Sequence, residues 1–330
     1  MIEFNKMSMR TWSRLGSCGA FGIAAMELPE LDEKTVILTA DLCFYSGLER
    51  YRAKYPDNFY NFGIAEQNMV GAAAGLAKEG YNVFATTYAT FASTRASDQV
   101  KVNMGYMQLG IKLIGLTAGL SVGILGATHM SLEDVSIMRS IPNIAILSPA
   151  DCTETVKAVI AASKLSTPVY IRLTGGMNAP MVYSEDYNFD IGKAINLRDG
   201  DDISIIATGS MVSSSLKAAE ILEEQGISCG VVNMHTIKPL DTEAVNACLK
   251  SKLLVTVEEH STLGGLGSAV AEAIALEGDK PPQLMIGTSD QYMHAANYDY
   301  LLEQYGLTAP QIAKKTAKAY SNIMHRNGES

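Results

Sequence analysis

The chain has 330 residues, of which 47% are hydrophobic and 18% are charged, and its formal net charge is −9. That length suits about two domains of ~150 residues, each able to bury a core. The acidic balance argues against general binding to nucleic acid or to an anionic membrane. Five scattered cysteines without a C-x-x-C motif, and the lack of an apolar run of the ~18 residues that a membrane span needs, predict a soluble cytoplasmic protein.

Apolar, β-branched runs alternate with alanine-rich helical patterns along the first half of the chain. Strands are predicted at 35–40, 82–88, 111–118, 143–149 and 168–174. Helices are predicted at 65–78, 94–108, 131–140 and 151–164. This alternation is typical of a parallel sheet with helices on both faces.

The stretch 178–202 breaks this rhythm with turn residues, and a second, shorter α/β set follows it. Its strands are predicted at 203–210, 228–234 and 253–259, and its helices at about 212–225, 242–250 and 266–276. The sequence therefore predicts an α/β protein with two consecutive domains, 1–190 and 191–330, each with a mostly parallel sheet.

Glu66 stands out because it opens the predicted helix of "NFGIAEQNMVGAAAGLAKEG" (61–80). A carboxylate in the first turn commonly just complements the positive end of the helix, which is worth ~0.3–1 kcal/mol. The small apolar residues before it, Gly63 to Ala65, instead indicate a site with little water, where a carboxylate needs a designated partner. Both interpretations are open at this point.

Several other side chains are predicted near the carboxyl ends of strands, where parallel sheets bind ligands. Tyr88 ends the strand at 82–88, Phe91 and Arg95 follow that strand, and Asp41 follows the strand at 35–40. His129 ends a glycine-rich loop and precedes Ser131-x-x-Asp134, a helix-start signature. Ordinary core aromatics, a helix cap for Asp41, a pair between Arg95 and Asp98 and a structural histidine are the simpler alternatives. The strand end "VEEH" (257–260) places its polar residues consecutively, so they are not expected to bind a metal together.

Five motifs together resemble the C-terminal half of transketolases, and most closely the separate C-terminal subunit of bacterial split transketolases. They are "NFGIAEQNMVGAAAGLA", "YATFASTRASDQV", the segment from "AGLSVG" to "MRSIPN", "IKPLD" and "VEEH", in the family's order over about residues 10–320. The 1-deoxyxylulose-phosphate synthases and the β subunits of 2-oxoacid dehydrogenases share this two-domain plan. The resemblance implies a pyrimidine-binding domain for thiamine diphosphate, followed by a transketolase C-terminal domain.

The resemblance also implies roles for the candidate residues. Glu66 would hydrogen-bond the pyrimidine nitrogen of the cofactor and stabilise the tautomer that accepts a proton from the thiazolium carbon. Phe91, with Tyr88 beside it, would form the platform for the ring. Asp41 would lie near the cofactor, and Arg95 would face an anion of cofactor or substrate. His129 would face the substrate oxygens and assist proton transfer.

One expected element of a thiamine enzyme is missing from the sequence. No G-D-G motif, which would begin the Mg²⁺ and diphosphate site, occurs in the chain. The resemblance therefore implies an N-terminal partner subunit that carries Mg²⁺, and an α2β2 heterotetramer.

Three positions depart from ordinary transketolases. Thr117 replaces a phosphate-binding histidine, Leu125 replaces an aspartate that contacts a sugar hydroxyl, and Gly175, by the nearest alignment, replaces a phosphate-binding arginine. Arg14 resembles another anion-binding arginine of the family, and Arg172 lies close enough in sequence to substitute for the missing one. The departures predict a non-standard, less phosphorylated or less polar sugar substrate.

Three functions are therefore compared. The first is transfer of a two-carbon ketol unit between sugars by a two-subunit enzyme. The second is use of a 2-oxoacid, as in the dehydrogenase β subunits or the deoxyxylulose-phosphate synthases. The third is a non-catalytic assembly subunit, which the presence of Glu66, Phe91 and His129 disfavours.

Overall fold

A computed structural model describes residues 2–328, and these residues form two α/β units. The strands are β1 (Thr35–Thr39), β2 (Phe59–Asn61), β3 (Asn82–Tyr88), β4 (Lys112–Leu116), β5 (Ala145–Leu147), β6 (Val169–Arg172), β7 (Ile195–Arg198), β8 (Ile203–Ala207), β9 (Cys229–Asn233), β10 (Thr236–Lys238), β11 (Leu253–Ser261) and β12 (Gln283–Thr288). The α-helices are α1 (Lys6–Ala25), α2 (Leu28–Leu31), α3 (Glu49–Lys54), α4 (Glu66–Lys78), α5 (Ser97–Gln99), α6 (Asp134–Ser140), α7 (Cys152–Ser163), α8 (Met211–Glu224), α9 (Thr242–Cys248), α10 (Leu266–Ala273), α11 (Tyr298–Tyr305) and α12 (Ala309–Asn327). None of the described helices is long and apolar enough to span a bilayer.

The first sheet has seven strands in the order β10-β5-β6-β4-β3-β1-β2. Its six strands from the first half of the chain are parallel, whereas β10 comes from the second half and pairs antiparallel with β5. Strands β1, β4 and β6 are buried along their whole length, as expected for a parallel sheet covered on both faces. Separate apolar clusters, one packed around α1 and α7 and the other around α4, contact this sheet.

The second sheet has the order β12-β11-β8-β9-β7 and is parallel except for β7. The α/β class, the two sheets and the mostly parallel strand direction are confirmed. The sequence analysis did not anticipate the edge strands β2, β7, β10 and β12, the first three helices or the last two helices. Edge strands bury less apolar surface, so their sequences carry a weak pattern.

The predicted helix 94–108 is not a regular α-helix. Phe91–Arg95 and Val100–Tyr106 are π-helical, and only the short α5 between them is α-helical. A π-helix has a wider turn than an α-helix and often marks a functional site. The first π segment carries both Phe91 and Arg95, two of the candidate residues.

The predicted helix start at Ser131 is also wrong. Helix α6 begins at Asp134, and no side-chain cap bond precedes it in the described structure. One carboxylate oxygen of Asp134, Oδ2, accepts hydrogen bonds from Arg172 Nε and from Tyr170 Oη, both at 2.8 Å. Because a buried arginine requires a counter-charge, the Asp134 side chain pairs with Arg172 in the core, while the Asp134 backbone begins α6.

The two units meet along β11. The Arg172 Nη2 atom donates to the Glu259 carbonyl at 2.8 Å, and the Ser261 amide donates to the Leu132 carbonyl at 2.8 Å. His260, completely enclosed, accepts from the Val135 amide through Nε2, and its Nδ1 lies 2.6 Å from the Ser261 carbonyl. These bonds define a neutral ring that carries its proton on Nδ1, and burial lowers the pKa of His260 to about 4.

His235 leads to a prediction about acid stability. Burial lowers its pKa to about 4, so the folded state keeps it neutral where the unfolded state, with a pKa near 6.5, binds a proton. Its contribution to stability is therefore complete above pH ~6.5 and is lost as the pH falls towards 4, by up to ~1.4 kcal/mol per pH unit. The His235→Gln variant should show a shallower loss of the free energy of unfolding between pH 6 and 4.5, measured by denaturant titration.

The control for this measurement is His294→Gln, at an exposed position. Glu258 acts in the opposite direction because burial raises its pKa to about 7, and comparison of variant with parent cancels that contribution. Equal slopes for His235→Gln and the parent protein would contradict the prediction.

Candidate active site

A cleft of about 330 Å³ lies where β1 and β3 end, at the carboxyl edge of the first sheet. It is lined by Ala40, Asp41, Leu42, Ile64, Glu66, Tyr88, Phe91, Arg95 and His129. The sheet brings these residues together because β3 is hydrogen-bonded to both β1 and β4. All six residues predicted to bind the cofactor or take part in catalysis therefore share one site.

Glu66 is the first residue of α4 and is only 2% exposed. Its Oε1 atom accepts a hydrogen bond from Arg95 Nη1 at 2.8 Å, and its buried Oε2 atom has no hydrogen-bond partner among the described residues. The residue before the helix, Ala65, provides no side-chain cap. Neither carboxylate oxygen forms a capping hydrogen bond among the described residues, although Glu66 lies in the first turn of α4, where its charge complements the positive helix end.

Arg95 pairs with Glu66 and not with Asp98, so the simpler alternative for Arg95 is wrong. Its guanidinium carbon lies 3.9 Å from the centroid of the Phe91 ring, in a cation–π contact. The Arg95 carbonyl accepts from Gln67 Nε2 at 3.1 Å, which ties the π-helical segment to the first turn of α4. The arginine side chain remains 43% exposed at the mouth of the cleft.

Three aromatic rings form one wall. The His129 ring centroid lies 5.3 Å from that of Phe91 and 5.7 Å from that of Tyr88, and both pairs meet edge to face. His129 Nδ1 is 2.9 Å from Thr128 Oγ1, so its other ring nitrogen is the one left for a ligand. Burial raises the pKa of Tyr88, which keeps its hydroxyl protonated at neutral pH.

Asp41 adopts a left-handed backbone, with φ of 60°, immediately after β1. The Asn61 side chain stabilises it from both sides: Oδ1 accepts from the Asp41 amide at 3.0 Å, and Nδ2 donates to the Asp41 carboxylate at 3.2 Å. Asp41 is therefore not a helix cap. The sequence analysis missed Asn61 and Gln67, although both lie in the motif around Glu66.

The burial of Glu66 agrees with the expectation, but the reason given for it is only partly right. Ile64, one of the small apolar neighbours, is 77% exposed and faces the cleft mouth. The water-poor environment comes from the core side of α4, where Met69 and Val70 are completely buried.

The predicted substrate residues Arg14, Thr117 and Leu125 do not line this cleft. Arg14 is exposed on α1, and Leu125 is 48% exposed in a turn between β4 and His129. Thr117 follows β4 with φ of 51°, and its hydroxyl donates to the Leu116 carbonyl at 2.8 Å. Their predicted roles remain untested.

The structure decides whether Arg172 substitutes for the missing phosphate-binding arginine. Its side chain is 1% exposed and is held by Asp134 and two carbonyls, so it does not reach the surface beside Gly175. Gly175 itself borders a second cavity, of about 250 Å³, between the two units. Hydroxyl side chains dominate its polar lining, namely those of Ser17, Thr155, Thr174, Ser210, Ser213, Ser214 and Tyr298. The two charged residues among its described lining are acidic, Asp151 and Asp299.

Residues 2–328 contain no group of three or more His, Cys, Asp or Glu side chains arranged to hold a metal ion.

Comparison with known proteins identifies the class of fold and site. Residues 17–178 match the family "Transketolase, pyrimidine binding domain", and residues 192–312 match the family "Transketolase, C-terminal domain". A "Putative transketolase C-terminal section" from Methanocaldococcus jannaschii is 42% identical and covers 89% of this chain and 93% of its own length. The 6-deoxy-6-sulfo-D-fructose transketolase subunit SqwH of Clostridium sp. (strain MSTE9) is 41% identical, covering 88% of this chain and 89% of its own.

The chain belongs to the transketolase family, whose pyrimidine-binding domain implies dependence on thiamine diphosphate. It corresponds to the C-terminal subunit of the split form. A solved structure entitled "Split gene transketolase, inactive beta4 tetramer" has a TM-score of 0.84 and 37% identity, over 93% of this chain and 98% of that chain. The resemblance seen in the sequence motifs is thus confirmed.

Proposed function

We propose that the chain is the C-terminal subunit of a two-subunit transketolase, which transfers a two-carbon ketol unit from a ketose donor to an aldose acceptor. The observation that carries this proposal is the Glu66 carboxylate, buried at the base of a cleft with Oε2 unpaired and with Phe91 and His129 beside it. A buried unpaired carboxylate oxygen is costly, so it indicates a ligand group that hydrogen-bonds to it.

The described residues fit the pyrimidine half of thiamine diphosphate. The unpaired Glu66 Oε2 suits the ring nitrogen, and the partly exposed Phe91 ring offers a flat apolar surface for stacking. When bound, the cofactor supplies the carbon nucleophile and the electron sink that sugars lack. Asp41, which lines the cleft just after β1, is held in place by the Asn61 side chain.

The protein side chains then have separate tasks. Glu66 holds the proton at the pyrimidine nitrogen, which sets the tautomer. Phe91 and Tyr88 orient the ring and exclude water from it. His129 directs its free ring nitrogen towards substrate oxygens, where it donates or accepts a proton.

The cofactor's diphosphate requires groups that this chain does not offer in the cleft. Its lining contains one cation, Arg95, and that cation is already paired with Glu66. We therefore place the Mg²⁺ and diphosphate site on an N-terminal partner subunit, in an α2β2 heterotetramer. Exposed apolar side chains support a partner surface there: Ile64 lines the cleft, and Tyr45, with Phe44 against it, lies near Tyr88. We place the domains of this subunit at 1–190 and 191–330.

The experiment that tests the proposal is reconstitution. The purified chain alone should bind thiamine diphosphate weakly and show no turnover, whereas addition of the N-terminal subunit should give Mg²⁺-dependent ketol transfer. The mass of the complex, from light scattering, should correspond to two copies of each subunit. Mg²⁺-dependent turnover by the chain alone would contradict the proposed division of the site. No release of CO₂ from a 2-oxoacid is expected.

A further inference from the structure

We propose that Glu259, in the second α/β unit, is a positioning residue for His129: it holds the base of the loop that presents His129 to the cleft. The inference rests on the proposed role of His129, and it gives the second unit a part in the active site. Glu259 is 1% exposed, so it acts through the groups around it and does not itself contact a substrate.

The loop consists of residues 119–131, and an antiparallel bridge closes it at its base. The Gly119 amide donates to the Ser131 carbonyl at 3.0 Å, and the Ser131 amide donates to the Gly119 carbonyl at 3.1 Å. His129 lies two positions before the end of the loop and lines the cleft. The place of its ring therefore depends on where the base of the loop is held.

The Glu259 carboxylate fixes this base by joining three segments of the chain. Its Oε1 atom accepts from the Leu120 amide at 2.6 Å, while Oε2 accepts from Tyr298 Oη at 2.6 Å and from Ser210 Oγ. A Cβ atom at Gly119 would collide with Oε1, and the φ of +74° there also favours glycine. Because a buried polar group is costly to leave unpaired, the loop and the carboxylate hold each other in one arrangement.

Apolar packing also attaches the loop to the second unit. Leu120 and Met130, one near each end of the loop, are completely buried in an apolar cluster formed mainly by residues of that unit. The Ala296 amide donates to the Gly123 carbonyl at 3.1 Å. Apolar contacts are non-directional, whereas a hydrogen bond requires a defined distance and angle. We therefore assign the precise placement of the loop's base to the bond between Glu259 and the Leu120 amide.

Loss of the carboxylate is expected to impair the substrate step but not activation of the cofactor. A displacement of about 1 Å in a reacting group can cost about 10²-fold in rate. In the reconstituted complex, Glu259→Ala should lower kcat/KM by about 10- to 100-fold, with xylulose 5-phosphate and ribose 5-phosphate as probes. Exchange of the thiazolium proton should remain at the parent rate, because Glu66 and Phe91 lie on other elements. In a His129→Ala background, Glu259→Ala should cause little further loss.

The direct test follows the His129 ring by NMR in the full-length chain, without cofactor or partner. Histidines are labelled with carbon-13 at Cε1, and the His129 signal is assigned with His129→Gln. Edge-to-face contacts at 5.3 Å from Phe91 and 5.7 Å from Tyr88 should give this signal a ring-current shift. Glu259→Ala should reduce the shift. Glu259→Gln, which keeps an oxygen for the Leu120 amide, should preserve both the shift and kcat/KM.

Two further variants keep the test informative if Glu259→Ala is poorly folded. Glu258→Ala is the matched control, because Glu258 is equally buried but accepts from the Leu266 and Gly267 amides at the start of α10. It should leave the His129 signal unchanged. Tyr298→Phe removes one donor to Glu259 without opening a large cavity, and it should move the His129 signal in the same direction as Glu259→Ala, by a smaller amount.

The outcomes separate this inference from the proposed function. A reduced ring-current shift in Glu259→Ala and Tyr298→Phe, with Glu259→Gln and Glu258→Ala like the parent, supports the positioning role. An unchanged His129 signal, an equal change in Glu258→Ala, or an equal loss of turnover and thiazolium exchange in Glu259→Ala overturns it. If the parent complex transfers no ketol unit, the proposed function fails, while the His129 signal still decides whether Glu259 positions the ring.

Discussion

Replacement of Glu66 by alanine is expected to abolish turnover of the reconstituted enzyme and to slow exchange of the thiazolium proton, while the fold stays intact. Proton transfer by a positioned side chain contributes ~10²–10⁴ to a rate, and Glu66 is the buried acid of the cleft. The measurement is NMR of the exchange rate in the assembled complex. Exchange is the appropriate readout because it reports activation of the cofactor before any substrate binds.

Two variants sharpen the interpretation. Glu66→Gln preserves the shape and one acceptor oxygen towards Arg95 but removes the carboxyl group, so it should be nearly as defective as Glu66→Ala. Glu79→Ala, at the exposed end of the same helix, is the matched control and should leave exchange unchanged. Circular dichroism should find the parent protein's helix content in all three variants, because no side-chain cap bond at the start of α4 is lost. A normal exchange rate in Glu66→Ala would contradict a catalytic role for Glu66 and would leave it only the structural role of pairing with Arg95.

The sequence was sufficient to predict the sheet edge that gathers the site. Tyr88 ends β3 and Asp41 follows β1, both strands are buried and contain several β-branched residues, and in a parallel sheet the ends of such strands meet. Glu66 could be predicted as a site residue from its position at the start of a helix. Each of these signals is local in the sequence, so no tertiary information was required.

The pairing of side chains could not be predicted in the same way. Arg95 had a local partner in Asp98, but the wider turn of the π-helical segment directs it towards Glu66, 29 positions away. Arg172 lies beside Gly175 in sequence, yet it is in β6 and points into the seam between the units, where Asp134 neutralises it. A strand alternates its side chains between two faces, so three residues of separation do not place two groups at the same surface.

The last prediction concerns the substrate, and it starts from the cavity beside Gly175, whose described lining contains no lysine or arginine. Strand β6, which leads to Gly175, lies two strands from β3 in the sheet, and neighbouring strands are ~4.8 Å apart. The carboxyl ends of β6 and β3 are therefore about 10 Å apart along the sheet edge. The described lining there offers hydroxyls and two carboxylates, which suit a phosphate dianion poorly.

We therefore expect the reconstituted enzyme to use xylulose 5-phosphate and ribose 5-phosphate inefficiently. Each charge-assisted hydrogen bond that is lost is worth ~1.5–3 kcal/mol, so two lost contacts predict a decrease of ~10²–10⁴ in kcat/KM relative to an ordinary transketolase. Steady-state kinetics with a panel of deoxy, branched, sulfonated and phosphorylated ketoses is the measurement.

Variants that restore the family's residues provide the internal control. Thr117→His and Leu125→Asp are substitutions that the fold should accept. The backbone at Thr117 already holds an L-residue at φ of 51°, and Leu125 is half exposed. Gly175→Arg is less suitable, since φ of +77° at Gly175 strains any residue with a Cβ. If the altered residues select the substrate, Thr117→His should restore one charge-assisted hydrogen bond to phosphate and so raise kcat/KM for sugar phosphates by about 10-fold or more. The same variant should not raise kcat/KM for a non-phosphorylated ketose. Turnover of sugar phosphates by the parent enzyme at ~10⁴–10⁵ M⁻¹s⁻¹ or better would mean that other groups, supplied by the partner, replace the missing charges, and the altered-substrate hypothesis would be wrong.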